Sequence, residues 1–239
     1  MTPHHPHLPS AQGALLGALI GDAVGATLEF LGRIPTSNDI DHALTLPGGG
    51  ALSVAPGQIT DDGELALALA RALLGSQEYP IEQVANHYLR WISSAPFDVG
   101  NATRMAMDCN RQGLTHVHLQ MRANALAYNR DSKANGALMR SSPLGIWSVR
   151  LNERETVKAA LCDAGLTHPN LTCQWANAAY VSALRYLMLF PGDANGAYQA
   201  ALRALAEGQT ASAGSIEVRA WLEDAQAGRL SSCHPMAGF

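Results

Sequence analysis

Thr60-Asp61-Asp62-Gly63-Glu64 places a hydroxyl and two adjacent carboxylates directly ahead of the apolar run LALALARALL at 65–74. One reading is helix capping, since a Thr or Asp N-cap with Glu64 three residues after Asp61 satisfies free N–H groups and suits the helix dipole. A cap needs one acceptor, however. Three oxygen donors in successive residues crowd negative charge together unless a hard cation sits among them. Mg²⁺ suits such donors, because it takes oxygen ligands and keeps waters that can act as nucleophile or give way to substrate hydroxyls.

A second pair of carboxylates, Asp22 and Glu29, belongs to a stretch with four glycines spaced one per turn, Gly13, Gly17, Gly21 and Gly25. Each glycine costs a helix interior about 1 kcal/mol relative to alanine, so the stripe predicts a close backbone neighbour and a helix at the centre of the molecule. Asp22 and Glu29, two turns apart, then share one face, with capping or pairing to arginines as the alternative role.

Apolar runs at helical spacing recur at 11–31, 63–75, 80–94, 100–112, 119–130, 154–164, 173–190 and 196–207, and alternating β-branched runs are almost absent. The pattern predicts an all-α protein whose polar chemistry sits at helix starts and in the loops LPGGG, APGQITDDG, SAPFDVGN and LTHPN. With 239 residues, 47% of them hydrophobic, one domain with a sizeable core is expected. Residues 1–10, MTPHHPHLPS, read as a flexible tail in which prolines keep His4, His5 and His7 from a fixed metal geometry.

A net charge of −4 argues against nucleic acid or an anionic membrane as partner. The apolar stretch at 13–20 meets Asp22 too early to span a bilayer. Cys109, Cys162, Cys173 and Cys233 form no C-x-x-C pair, which fits reduced thiols in a cytoplasmic protein. Trp91, Trp147, Trp175 and Trp221 read as packing residues, and Arg111, Arg122 and Arg130 as solvated helix-face charges.

Five strings occur in an order that resembles the ADP-ribosylglycohydrolase family, which includes the dinitrogenase-reductase-activating glycohydrolases. They are GALLGALIGDAVGATLEF at 13–30, GQITDDGELALALA at 57–70, PFDVGNATRMAM at 96–107, ANGALMRSSPLGIW at 134–147 and LTHPN at 166–170. The resemblance implies a compact orthogonal helical bundle with a cleft for two Mg²⁺ ions beneath the ribose of an ADP-ribosyl group. It implies that Thr60, Asp61 and Asp62 are ligands of the first ion, and that Glu29 faces the scissile end of the ribose, with Glu29, Asp61 and Asp62 as the catalytic carboxylates. It places Asp98, Asn101, Asn135, Gly136, Met139 and His168 in the wall that recognises ADP-ribose.

Taken singly, Asp98 reads equally as a cap of the helix starting near Gly100, His168 as a loop end before Pro169, and Met139 as core. The activity implied is hydrolysis of the bond between ADP-ribose and a modified protein side chain, arginine first among them, through an oxocarbenium-like state.

Two departures leave the ligands in place: Ala134 stands where the family often has Gly, and Gly63 where it often has Thr. A larger departure is the family's C-terminal Gly-Asp-x-Asp-Thr/Ser string, which supplies the remaining metal ligands and is missing from these 239 residues. Gly192-Asp193-Ala194-Asn195-Gly196 lacks the second aspartate and the hydroxyl and reads as a turn.

Residues 11–239 are therefore expected to form one C-terminally incomplete domain, with a single or weakly held Mg²⁺ and reduced turnover. The alternative is a non-catalytic binder of ADP-ribosylated protein or of an ADP-ribosyltransferase toxin, as in an immunity protein. A purely structural helical domain leaves the ordered motifs unexplained.

Overall fold

The computed structural model describes residues 7–109, 116–207 and 212–229. Among them are eleven α-helices: α1 (Leu8–Gly25), α2 (Ser37–Ala43), α3 (Asp61–Leu73), α4 (Ile81–Ile92), α5 (Asn101–Met107), α6 (Val117–Tyr128), α7 (Ser142–Trp147), α8 (Glu153–Ala164), α9 (Leu171–Leu189), α10 (Ala194–Ala204) and α11 (Ala213–Gln226). The protein is all-α, as its helical periodicity predicts. His4, His5, Arg111 and Cys233 lie outside the described residues.

Helix α9 is the hub, packed against α7, α8, α10 and α11, while α3 packs on α4 and α7. Leu65 and Leu69 of α3, Val84 and Tyr88 of α4, Met121 of α6, Leu144 of α7 and Val181 of α9 meet in the main core. In α3 the buried Leu65, Leu69 and Leu73 recur every four residues, so one stripe faces inward and the carboxylates at its start stay at the rim. Trp91 and Trp147 are buried as expected and Trp175 packs against the core, but Trp221 is half exposed.

The expectation of a central first helix is not met. Ala23 is the one buried residue of α1, and nothing lies within 4 Å of a Cβ built on Gly13, Gly17, Gly21 or Gly25. The glycines thus present an open face alongside the exposed Leu16 and Ile20 rather than a backbone contact. The helix begins at Leu8, inside the stretch read as a tail, and ends at Gly25, short of residue 31. Glu29 therefore lies in the turn that follows α1 rather than on a helical face with Asp22.

Deep in the bundle, Arg140 has no solvent exposure. Its Nε donates to Asp163 Oδ2 at 3.2 Å, its Nη2 to the Asp163 carbonyl at 3.1 Å, and its Nη1 to Thr167 Oγ1 at 3.0 Å and the Gly136 carbonyl at 3.2 Å. Tyr79 and Tyr88 both donate to Asp163 Oδ1, at 2.9 and 2.8 Å, and the guanidinium lies 4.4 Å from the Tyr88 ring centre. No described helix is long and apolar enough to cross a membrane.

Removing one member of a fully buried ion pair strands its partner's charge, at a cost of about 3–5 kcal/mol. Asp163→Ala is expected to lower unfolding stability by about that much in urea titration. The double substitution Arg140→Met with Asp163→Leu should recover a large part of the loss, since it strands no charge.

Candidate active site

Helix α3 is held at its N-terminus by a carboxylate from another helix. Asp22 Oδ2 accepts the backbone N–H groups of Thr60 (2.9 Å) and Gly63 (2.8 Å), and Thr60 Oγ1 donates to Asp22 Oδ1 at 2.6 Å. Thr60 occupies the N-cap position yet makes no side-chain cap bond of its own. Capping is thus supplied by Asp22, and Asp61 and Asp62 are released from it. Glu64 is not half of a capping box either, because its carboxylate accepts Trp91 Nε1–H at 2.6 Å.

The same contact explains Gly63. A Cβ there would lie 2.6 Å from Asp22 Oδ2 and 2.9 Å from Ile59 Cβ, so any larger residue displaces the capping carboxylate.

Asp61 reaches across to the next element, its Oδ2 accepting Gly100 N–H (3.2 Å) at the start of α5. Asp98, read as a possible cap of that helix, makes no side-chain cap bond to it. Instead it lines, with Asp22, Glu29, Thr60, Asp61 and Asp62, a cavity of about 590 Å³. Asn101, Asn135, Gly136, Met139 and His168 line the same cavity. All ten residues singled out in the sequence are therefore brought together around one space.

The charge balance of this cavity is one-sided. Five carboxylates line it, those of Asp22, Glu29, Asp61, Asp62 and Asp98, and no described lining residue is a lysine or arginine. Burial, with Asp98 next, pushes the Asp61 carboxyl up to about 6. Burial pushes Asp62 up to about 7, with Asp61, Asp22, Glu29 and Asp98 adding to it. Glu29 is raised as well, by burial and then by Asp98, Asp61 and Asp22. Crowded oxygen donors whose ionisation is resisted by burial and by one another are a donor set that a hard divalent cation fits, since its charge reverses both effects.

The other set of lining residues is neutral. Gly136 admits the His168 ring, because a Cβ there would meet His168 Cε1 at 2.8 Å and Thr103 Oγ1 at 2.7 Å. Arg140 donates to Thr167 Oγ1, and that hydroxyl lies 2.8 Å from His168 Nδ1. The arginine takes one lone pair of the hydroxyl, and among the described residues the acceptor placed for the hydroxyl's own proton is Nδ1, the pairing that puts the imidazole proton on Nε2. Burial, then the Arg140 charge, pushes His168 down to about 3, so the ring is neutral. Nε2 is buried and has no hydrogen-bond partner among the described residues, and the ring lines the cavity. It is a fixed N–H donor in search of an acceptor.

Residues 4–237 match the ADP-ribosylglycohydrolase family. The chain belongs to that family. The ADP-ribosyl-[dinitrogen reductase] glycohydrolase of Rhodospirillum rubrum is 37% identical over 138 residues, 57% of this chain and 44% of that protein. The ADP-ribosylarginine hydrolase Tri1 of Pseudomonas putida (strain GB-1) is 36% identical over 147 residues, 59% of this chain and 36% of that protein. The chain thus matches less than half the length of these curated relatives. A solved structure described as an ADP-ribosylglycohydrolase-related protein complex aligns with a TM-score of 0.56 at 27% identity, over 90% of this chain and 75% of that one.

Within this family member, Asp193 has a local task. Its Oδ1 accepts Gly196 N–H at 2.8 Å at the start of α10, and its Oδ2 accepts Tyr186 O–H at 2.9 Å. The Gly192–Gly196 string is a helix start and does not line the cavity. Asp22, Thr103 and Phe30 line it without having been assigned a role from sequence. Asp22 was legible as a carboxylate near the site, but its bonds to residues 38 and 41 positions away carry no local signature. Phe30 sits at φ 58°, an unusual backbone for an aromatic residue, where the turn after α1 meets the cavity.

Gly63→Ala is expected to cost about 1–3 kcal/mol of unfolding stability, as overpacking does, and a thermal or urea melt reads it. His168 supplies a pH test whose sign follows from its depressed value. Between the ordinary histidine range near 6.5 and about 3, the unfolded chain takes up a proton that the native chain refuses. The His168 contribution is complete above that window and is lost as pH falls through it. Nitrogen-resolved NMR at pH 5 should show His168 as the neutral Nε2–H tautomer. The stability slope between pH 4 and 6.5 should flatten in His168→Gln.

Proposed function

We propose that this chain is a Mg²⁺-dependent hydrolase that removes ADP-ribose from a modified protein side chain, arginine first among them, in the cytoplasm. The observation that carries the reading is the gathering of all ten motif residues around one cavity with five carboxylates and no lysine or arginine among its described lining residues. Arginine as the linkage is supported by the activity for which the Pseudomonas putida relative is named, and a protein as the substrate by that of the Rhodospirillum rubrum one.

Thr60, Asp61 and Asp62 are the residues that would hold Mg²⁺. Its chemistry there is Lewis acidity and a template for a sugar diol. The Thr60 hydroxyl gives its proton to Asp22 and so keeps lone pairs free for a cation. Gly100 N–H fixes one oxygen of Asp61. Glu29 is the carboxylate assigned to take a proton from the attacking water at the anomeric carbon. Asn101, Asn135 and the Nε2–H of His168 supply neutral hydrogen-bonding groups to the ribose and phosphate oxygens, and Met139 and Gly136 shape the wall.

Fixed donors of this kind suit a diphosphate in a cavity whose carboxylates would otherwise repel it. A single or weakly held ion and slow turnover are expected. The second reading is a binder that occludes ADP-ribosylated protein or an ADP-ribosyltransferase toxin, in which the same cavity holds its ligand without cleaving it.

The test is release of free ADP-ribose from an arginine-ADP-ribosylated protein with Mg²⁺ and with chelator. Metal-dependent release is expected, abolished by Asp61→Asn with Asp62→Asn and lowered about 10²–10⁴-fold by Glu29→Gln. Absence of release together with tight binding of the modified protein would replace the hydrolase by the binder.

A further inference from the structure

A second group of metal-ligating side chains lies where α4 meets the start of α6, and none of its members lines the acidic cavity. Glu82, His116 and His118 each present one ligand atom, and these atoms lie within 4.8 Å of one another. Glu82 is in the first turn of α4, His118 in the first turn of α6, and His116 is the residue before α6.

The carboxylate is held in place by its surroundings. Glu82 Oε1 accepts Val117 N–H at 2.9 Å and Asn86 Nδ2–H at 3.2 Å, and Oε2 accepts His118 N–H at 3.3 Å and contacts His118 Nδ1. The ring of His116, at φ −141° and ψ 80°, lies edge-on to that of His118, with centres 6.1 Å apart. His116 is exposed while the other two are partly buried, so the cluster is open to solvent on one side.

We propose that Glu82, His116 and His118 form a Zn²⁺ site with an open fourth position, separate from the acidic cavity. Two imidazole nitrogens and one carboxylate oxygen are a borderline donor set that selects Zn²⁺ over Mg²⁺, which takes oxygen ligands and holds its waters. Three protein ligands plus water are the composition of open zinc sites.

Bond lengths of about 2.0–2.1 Å put tetrahedral donors roughly 3.3 Å apart, so the widest pair must close by at most about 1.5 Å while His118 Nδ1, in direct contact with Glu82 Oε2, must draw back to admit the ion. The exposed His116 ring can make most of that movement by changing rotamer. The hydrogen bonds from Val117 and Asn86 to Glu82 are the outer contacts that orient a ligating carboxylate. Because one ligand comes from α4 and two from the start of α6, the ion would clamp these helices together, and binding would appear as stability.

The test uses the full chain at pH 7.5. Zn²⁺ binding is followed by calorimetry and by thermal melting, and Co²⁺ binding by its visible absorption, which reports imidazole coordination. His4, His5 and His7 are a competing source of imidazoles, so a variant with His4→Ala, His5→Ala and His7→Ala is measured in parallel.

One equivalent of Zn²⁺ is expected in the wild type, in that triple variant and in Asp61→Asn with Asp62→Asn, with a rise in Tm of about 5 °C at saturation. His116→Ala, which removes an exposed ring and no buried contact, should weaken binding at least tenfold and abolish the Tm shift. Glu82→Gln should weaken it as well. Binding that disappears with the three N-terminal histidines, or that His116→Ala leaves unchanged, overturns the site. Mg²⁺-dependent release of ADP-ribose is a separate measurement, and its success or failure leaves this result standing.

Discussion

A guanidinium with no solvent exposure is tolerable only where its charge is paired and its N–H groups are used, and Arg140 is bound from several directions at once. Asp163 of α8 supplies the counter-charge, Tyr79 and Tyr88 complete the carboxylate's shell, and the carbonyls of Gly136 and Asp163 take two further guanidinium protons. The pair is not a large net source of stability, because two desolvated charges roughly cancel their attraction. Its consequence is positional. The segment carrying Asn135, Gly136 and Met139 can take one place relative to α8, and the loop with Thr167 and His168 is set by the same guanidinium.

Through Thr167 that constraint reaches the chemistry. A neutral imidazole has two tautomers of similar energy, and a cavity lined by one would offer either an acceptor or a donor. The threonine decides between them: one of its lone pairs is taken by the arginine, and its own proton has Nδ1 as its acceptor among the described residues. A buried ion pair thereby sets the polarity of a cavity atom without touching it. Helix α3 is treated in a similar way from the opposite side. Asp22 takes the capping work from outside the helix, and two carboxylates at the N-terminus are left without it.

Element type was legible because helical periodicity follows from burial of one face, and the runs read from sequence correspond to α1, α3 to α6 and α8 to α10. The helices missed are those where that signal cannot form. α2 and α7 are under two turns long, and α11 buries Gly214, Ser215 and Val218, a face too small and polar to stand out. The glycine stripe misled for a different reason. Small residues every four positions permit a close neighbour but do not supply one, and the described residues put nothing against Gly13, Gly17, Gly21 or Gly25.

The residues of the cavity were legible because they sit in ordered strings, whereas their partners were not. Trp91 satisfying Glu64, Asp22 capping α3 and Thr167 orienting His168 are bonds across the fold or between side chains, and local spacing does not encode them.

The carboxylates raise the question of why the fold tolerates them. Five acidic side chains around one cavity, with burial and mutual repulsion raising Asp61 and Asp62 toward neutrality, form a locally unfavourable arrangement. Hydrophobic packing of α3 through Leu65, Leu69 and Leu73 offsets it and keeps the acidic turn in place. Such a site is preorganised for positive charge, since the repulsion is already present in the folded chain and a cation relieves it on arrival. The absence of lysine and arginine among the described lining residues has the same direction. A basic side chain would neutralise the carboxylates permanently and compete with any ion, whereas an all-oxygen wall leaves the compensation to a ligand that can also orient a sugar diol. Neutral donors are then what the rest of the wall must provide, and the fixed Nε2–H of His168 is one of them.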